Sequence, residues 1–303
     1  MDTRTRTSRW TTQQPENPPY RLESGDLEIL KCLGRYTLAT NREIAALTNR
    51  SYKVICRRTQ KLKNWYIKVC SAQLNNTRLY QRLPQAFHLT PRGISKLAEI
   101  GIEVDIPKSS GQFIHRLTEN QTAVSFELGC RERGLELIYH TDAPAVIPDV
   151  PFTLHGHEYC QAIKPDWRPF VIVYPNQRYR LFPGFETDCD SEDLTSTAKS
   201  RAVIEQKFAA YLTILAQRRY EQHFNVANFV VLFVAPHPAR KLAMMNVLEK
   251  LTHGTGQQHL LAAFGFQVFP TILSVDPQPP PHGWAITKPW DRVGHPPLDL
   301  STA

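Results

Sequence analysis

Asp166, Glu186 and Asp188 are the residues whose type and spacing point to chemistry. Lys164-Pro165-Asp166 closes one apolar, strand-forming run, and Phe185-Glu186-Thr187-Asp188 closes a later one. Carboxylates brought together at neighbouring strand ends cradle Mg²⁺ or Mn²⁺, which take oxygen ligands and keep water for attack on a phosphate. Lys207, with Tyr211 four residues on, shares one helical face with that phenol, so a cation and a hydroxyl can be aimed at one phosphate. The expected catalytic set is therefore Asp166, Glu186, Asp188 and Lys207. Asp166, Glu186 and Asp188 are the expected metal ligands, and Mg²⁺ or Mn²⁺ is the ion if the site is active. Glu119 or Glu127, upstream, can add a further ligand, though each reads first as a solvated acid on a helix face. His155-x-His157-x-x-Cys160, with His140, offers a second metal pattern, because an HxH on a strand puts both imidazoles on one face. Polar strand residues facing water give the same alternation, and no second cluster supports it. A Gly-rich phosphate loop is missing from the sequence, so nucleotide hydrolysis has no support.

Elements must position these groups, and the periodicity supplies them. From Leu117 the chain alternates helix and strand: a helix over 118–133, a strand at 135–140, a strand pair through 152–173 and a strand around 180–186. A long helix over 196–224, a strand at 228–235, a helix over 238–251 and a strand near 264–269 follow. Phe229 to Val234 is continuously apolar, as expected of a strand covered on both faces. The part before it reads differently. Ser24 and Asp26 are N-cap types before an apolar helical stripe of Leu27, Leu30 and Leu33, and Asn41 precedes a second helix with Ile44, Ala45 and Leu47 on one face. The turn Thr48-Asn49-Arg50-Ser51 leads to a third helix, 51–64. There Val54, Ile55 and Leu62 face a core, and Lys53, Arg57, Arg58, Gln60, Lys61 and Lys63 cover the rest. Trp65 to Val69, the turn Asn75-Asn76 and Arg78 to Leu83 read as a hairpin. Thr90-Pro91 opens a last helix that buries Ile94, Leu97 and Ile100.

That order is the layout of a winged helix-turn-helix, and its charge has the matching sign. Between Lys31 and Lys96 there are fourteen Lys or Arg residues and one acid, Glu43. The first 110 residues carry a net charge of +10 and the remainder −2, so the +8 of the whole chain is a property of its first third. Lys and Arg that neutralise phosphate supply most non-specific DNA affinity, which makes double-stranded DNA the expected partner. The expected DNA contacts are Ser51, Lys53, Arg57, Arg58, Lys61 and Lys63 on the third helix, with Arg78 and Arg82 on the wing. At 303 residues and 42% apolar content the chain accommodates two cores of roughly 90 and 150 residues. Six cysteines without a CxxC pair and a polar, arginine-bearing start predict a reduced, cytoplasmic protein. Its apolar runs are too short to span a membrane. Residues 1–20 and the Pro-rich stretch 276–303 read as flexible arms around units at 21–106 and 113–275.

In order and spacing, the basic N-terminal unit, His115-Arg116-Leu117, Lys164-Pro165-Asp166, Phe185-Glu186-Thr187-Asp188 and the Lys207 to Tyr211 helix resemble the replication-relaxation family of plasmid and mobile-element proteins. The resemblance runs from about Leu22 to Leu251. It implies an α+β winged helix-turn-helix followed by an α/β restriction-endonuclease-like domain with a mixed sheet and a PD-(D/E)xK core. It implies a role in plasmid DNA relaxation, replication or transfer; other plasmid-processing proteins are further expected partners, and a homodimer is an expectation because winged helices often act as dimers. The chain departs from the motif in one place: the lysine expected two residues after the second acid is Asp188, which adds negative charge where a cation would stabilise the phosphate. Three functions follow as expectations: a DNA-binding protein of a mobile element, a Mg²⁺-dependent endonuclease or nickase, and a transcription regulator.

Overall fold

A computed structural model describes residues 21–75, 83–104, 113–139, 146–189, 193–195, 204–270 and 281–302. The chain is a mixed α+β protein with one mixed sheet and three small antiparallel ones.

Capping sets the early helices. In α1 (Ser24–Tyr36) the cap is Glu23 rather than Ser24, and its backbone N–H donates to Asp26 Oδ2 at 3.0 Å. A two-residue strand, β1 (Ala39–Thr40), ends on Thr40, which caps α2 (Asn41–Thr48) in a reciprocal box with Glu43. Asn49 closes α2 at a left-handed φ of 52°, a conformation asparagine tolerates, and Ser51 caps α3 (Tyr52–Leu62). Ile29, Leu30, Leu33, Ile44, Ile55 and Leu62 form the core among these helices. β2 (Ile67–Val69), the short α4 (Ser71–Asn75) and β3 (Ala86–Leu89) follow, and Thr90 caps α5 (Pro91–Ala98) with proline in its first turn. Of the last helix's expected apolar face, Leu97 is fully buried, Ile94 is partly buried and Ile100 is exposed.

The hairpin differs from its expected form. β2 pairs antiparallel with β3, Ile67 opposite Leu89 and Val69 opposite Phe87, and β1 pairs on the far side of β3. The described partner of β2 is thus Ala86–Leu89. Gln73 organises the connection, its side-chain amide donating to Leu83 O while its oxygen accepts the Ala86 N–H. Arg78 and Arg82 lie outside the described residues.

In the remainder, a five-stranded sheet runs β13-β12-β11-β10-β9, from β9 (Phe185–Thr187), β10 (Val231–Ala235), β11 (Phe264–Val268), β12 (Trp290–Arg292) and β13 (His295–Leu298). β9, β10 and β11 are parallel; β12 and β13 are antiparallel. All of β10 is buried, and its alternating side chains serve two cores. Leu232 and Val234 join a cluster with α6 (Phe113–Arg133) and α10 (Trp284–Thr287); Val231, Phe233 and Ala235 join one with α7 (Ile204–Ala216) and α9 (Pro238–Thr252). A second antiparallel sheet contains β4 (Glu136–Tyr139), β7 (Phe170–Val173) and β8 (Tyr179–Phe182). β5 (Ile147–Leu154) and β6 (His157–Ile163) form a hairpin whose turn residues His155 and Gly156 both have positive φ.

Three expectations change here. The single helix expected over 196–224 is, in its described part, two: α7 ends at Ala216, Arg218 takes a left-handed φ of 51°, and α8 (Arg219–Phe224) restarts the chain. The stretch expected as a flexible tail supplies α10, β12 and β13 through Leu298, with Trp284, Trp290 and Leu300 buried. Its prolines misled, because tryptophan burial decides its fate; residues 271–280 and Trp10 lie outside the described residues. Beside the cluster that belongs to 21–104 alone, another hydrophobic cluster runs from Tyr36, Leu38, Leu47 and Ala86 into α6 and the five-stranded sheet. No helix among the described residues is long and apolar enough to cross a membrane.

Candidate functional site

The start of α6, the loop after β6 and the end of β9 meet at Asp166. One carboxylate oxygen, Oδ2, accepts the backbone N–H of Thr187 at 2.7 Å and its hydroxyl at 3.1 Å, so Asp166 is fastened to β9. The other, Oδ1, faces His115 Nε2 at 3.4 Å. His115 and Glu119 stand one turn apart on α6, and that same Nε2 lies 2.8 Å from Glu119 Oε1. Among the described residues, His115, Glu119 and Asp166 are the group whose nitrogen and oxygen atoms lie close enough to share one ion, all within 4.8 Å of one another.

The charges are mutually set. Burial disfavours a charged His115, but hydrogen bonds with Asp166, Cys189 and Glu119 outweigh it and push its pKa up to about 12. Burial likewise opposes ionisation of Asp166, yet the His115 hydrogen bond and the Lys207 charge hold its carboxyl below the usual carboxylate range. Glu119 goes the other way: burial, with the nearby Asp166 charge, raises it despite the His115 hydrogen bond.

Glu186, on β9, meets α7. It accepts a hydrogen bond from the Tyr211 hydroxyl at 2.6 Å and pairs with Lys207 Nζ at 3.2 Å. Burial raises its pKa to about 7 against the pull of Lys207, and the Asp166 charge adds to the rise. Lys207 and Tyr211 therefore do share a face, and the group they meet is Glu186.

Asp188 is outside the group of described residues that lie close enough to share one ion. It is buried against the Arg240 guanidinium of α9, forming an ion pair, while its N–H donates to Val234 O at 2.9 Å. Of the expected ligands, Asp166 meets His115, Glu186 meets Lys207 and Tyr211, and Asp188 meets Arg240, while the Lys207 charge acts on both Asp166 and Glu186. Sequence reading missed Arg240, whose role depends on a contact across 52 positions that no local pattern announces. His115 and Glu119 carried a readable signal, the one-turn spacing of two ligand types on one helix. Glu119 is not the solvated acid expected, and neither is Glu127, which is tied to Arg35, Tyr36 and Arg131.

The HxH pattern dissolves. His155 is a turn residue made possible by Gly156, and it pairs with Glu205 at 2.9 Å; His157 and Cys160 are exposed on β6. His140 lies outside the described residues.

On α3, Ser51 commits its hydroxyl to the helix cap, accepting from Val54 N at 3.4 Å. Lys53, Arg57 and Lys61 are exposed and Lys63 is half-buried at the helix end. Arg58 departs from the expected DNA contacts. Its guanidinium turns back onto α1, to Glu23 at 2.7 Å and Asp26 at 2.8 Å, and those acids keep it charged. Arg92 lies over the Trp65 ring, 5.3 Å from its centre. No family model matches the chain, and no curated protein or solved structure matches it either.

Proposed function

We propose that this chain is a DNA-binding protein of a plasmid or other mobile element, acting in DNA relaxation, replication or conjugative mobilisation. In this reading α1 to α3 with the β1-β3-β2 sheet form a winged helix-turn-helix, and α3 docks on duplex DNA. The observation that carries it is the division of labour on α3. Ile55, Thr59 and Leu62 face inward, Arg58 is tied to α1, and Lys53, Arg57 and Lys61 point out from a helix already held rigid. A rigid helix with an exposed cationic face meets phosphate and base edges without first having to order the side chains of its inner face. The concentration of positive charge in the first third of the sequence, and the resemblance to the replication-relaxation family, support the same reading. The second unit then plays the part of a restriction-endonuclease-like core that handles strand, partner protein or a second copy of the chain.

The test is fluorescence anisotropy of a labelled duplex over a range of salt. Lys53→Glu with Arg57→Glu and Lys61→Glu is expected to weaken binding at least ~10-fold and to flatten the log–log salt slope by about one for each phosphate no longer neutralised. A folded triple variant with unchanged affinity and slope would reject α3 as the docking helix.

A second reading, a metal-dependent endonuclease or nickase, is favoured by the placement of Lys207, which pairs with Glu186 at 3.2 Å and whose charge also lowers the Asp166 carboxyl. Mg²⁺- or Mn²⁺-dependent nicking of supercoiled plasmid that disappears in Asp166→Ala would establish it; binding without nicking would leave the DNA-binding reading alone.

A further inference from the structure

We propose that His115, Glu119 and Asp166 form a binding site for a borderline divalent ion of the zinc class, which takes Asp166 from the all-carboxylate Mg²⁺ set expected at the strand ends and replaces Glu186 and Asp188 with His115 and Glu119. Two observations carry it. First, the donors converge on one point from two separate parts of the chain: a helix turn gives His115 and Glu119, and the loop after β6 gives Asp166. Second, the spacing suits a small ion. Ligand atoms around a tetrahedral ion with bonds of about 2.0–2.2 Å stand about 3.4 Å apart. His115 Nε2 and Asp166 Oδ1 are 3.4 Å apart, and the 2.8 Å from Nε2 to Glu119 Oε1 needs only a side-chain adjustment to reach that value.

The donor set decides the class of ion. One imidazole nitrogen with two carboxylate oxygens suits Zn²⁺ and its neighbours, whereas Mg²⁺ prefers oxygen throughout and near-ideal octahedral geometry. The side chains of His115, Glu119 and Asp166 are each between 16 and 25% exposed, so an ion reaches them from solvent and a water completes its coordination. Three protein ligands and one open position are the pattern of a reactive rather than a purely structural zinc site. Asp166 is already oriented by Thr187 on its other oxygen, the kind of outer hydrogen bond that fixes a ligand. Cys189 lies beside the same imidazole and donates to the Thr118 hydroxyl at 3.6 Å.

The experiment uses the full-length chain stripped with a chelator and titrated calorimetrically with Zn²⁺, then with Mg²⁺, in the absence of DNA, so its outcome is independent of the DNA-binding reading. One Zn²⁺ per chain is expected, with Mg²⁺ binding at least ~100-fold weaker. His115→Gln and Glu119→Gln are each expected to weaken Zn²⁺ binding at least ~10-fold, while His157→Gln, an exposed histidine elsewhere, leaves it unchanged. Zn²⁺ binding that survives both site variants, or that falls in His157→Gln instead, would overturn the proposal, as would a preference for Mg²⁺. Should either site variant fail to fold, Co²⁺ added to the unaltered chain reads the coordination directly. Intense d–d bands of a four- or five-coordinate ion support the site, and the weak spectrum of a hydrated octahedral ion rejects it.

Discussion

At the residue scale, one side chain can have the right type for chemistry and still be committed elsewhere. Asp188 has the identity and strand-end position of a metal ligand, yet its carboxylate is buried in an ion pair with Arg240. Removing one partner of such a pair leaves an uncompensated buried charge, the costly half of the arrangement. Asp188→Ala is therefore expected to lower the unfolding free energy by about 3–5 kcal/mol in urea denaturation. A decrease below about 1 kcal/mol would mean that Arg240 finds water and that Asp188 is free for another role. The position of Asp188 in a motif was legible in the sequence. Its partner was not, because an ion pair between β9 and α9 depends on how a helix far along the chain settles on the sheet. The same holds for Arg58: its charge and helix position were legible, whereas its pairing with Glu23 and Asp26 depends on the packing of α1 against α3.

At the scale of elements, caps and close approaches fix where helices begin and how near they come. Thr90 accepts the Gly93 N–H at 3.2 Å while its hydroxyl donates to Trp65 O at 2.7 Å, so one side chain starts α5 and anchors it to the turn before β2. Gly93 completes the contact: a Cβ there would stand 2.2 Å from Tyr66 O, against backbone that cannot swing away. Gly93→Ala is expected to destabilise the fold by about 1–3 kcal/mol, through overpacking that outweighs alanine's better helix propensity. An unchanged or raised melting temperature would contradict this close packing. The helix itself was readable from Thr90-Pro91 and the apolar spacing behind it. The hairpin before it was readable only in kind, because β2 and β3 satisfy their alternation in the register Ile67 to Leu89, and a β-prone run at Arg78 to Leu83 offers a rival that sequence cannot rank.

At the scale of the whole molecule, the stretch that reads as a tail completes the sheet. Trp290 is fully buried, stacked 6.1 Å from Phe126 of α6, and its indole N–H donates to Ala285 O at 2.8 Å. Gly129 and Gly283 let α6 and α10 touch, for a Cβ on Gly129 would come within 2.6 Å of Ile286 Cβ. A chain ended at residue 276 loses Trp284 and Trp290 from this core, each worth about 3–5 kcal/mol on truncation. The shortened protein is expected to lose its cooperative thermal transition by circular dichroism. A shortened chain that melts at the full-length temperature would show that the tail only decorates the fold.

The sequence by itself determined what depends on neighbours along the chain. The helices announced by caps and apolar spacing, the doubly covered strand at Val231–Ala235, and the confinement of positive charge to the first third all arise from local periodicity and composition. Only the tertiary structure decided which side chains share a site. It brought His115 and Glu119 of α6 to Asp166, gave Asp188 to Arg240, and joined both parts of the chain through one core. Those outcomes depend on distances of a few ångströms between segments far apart in sequence, set by the packing of a whole core rather than by any residue's own preference.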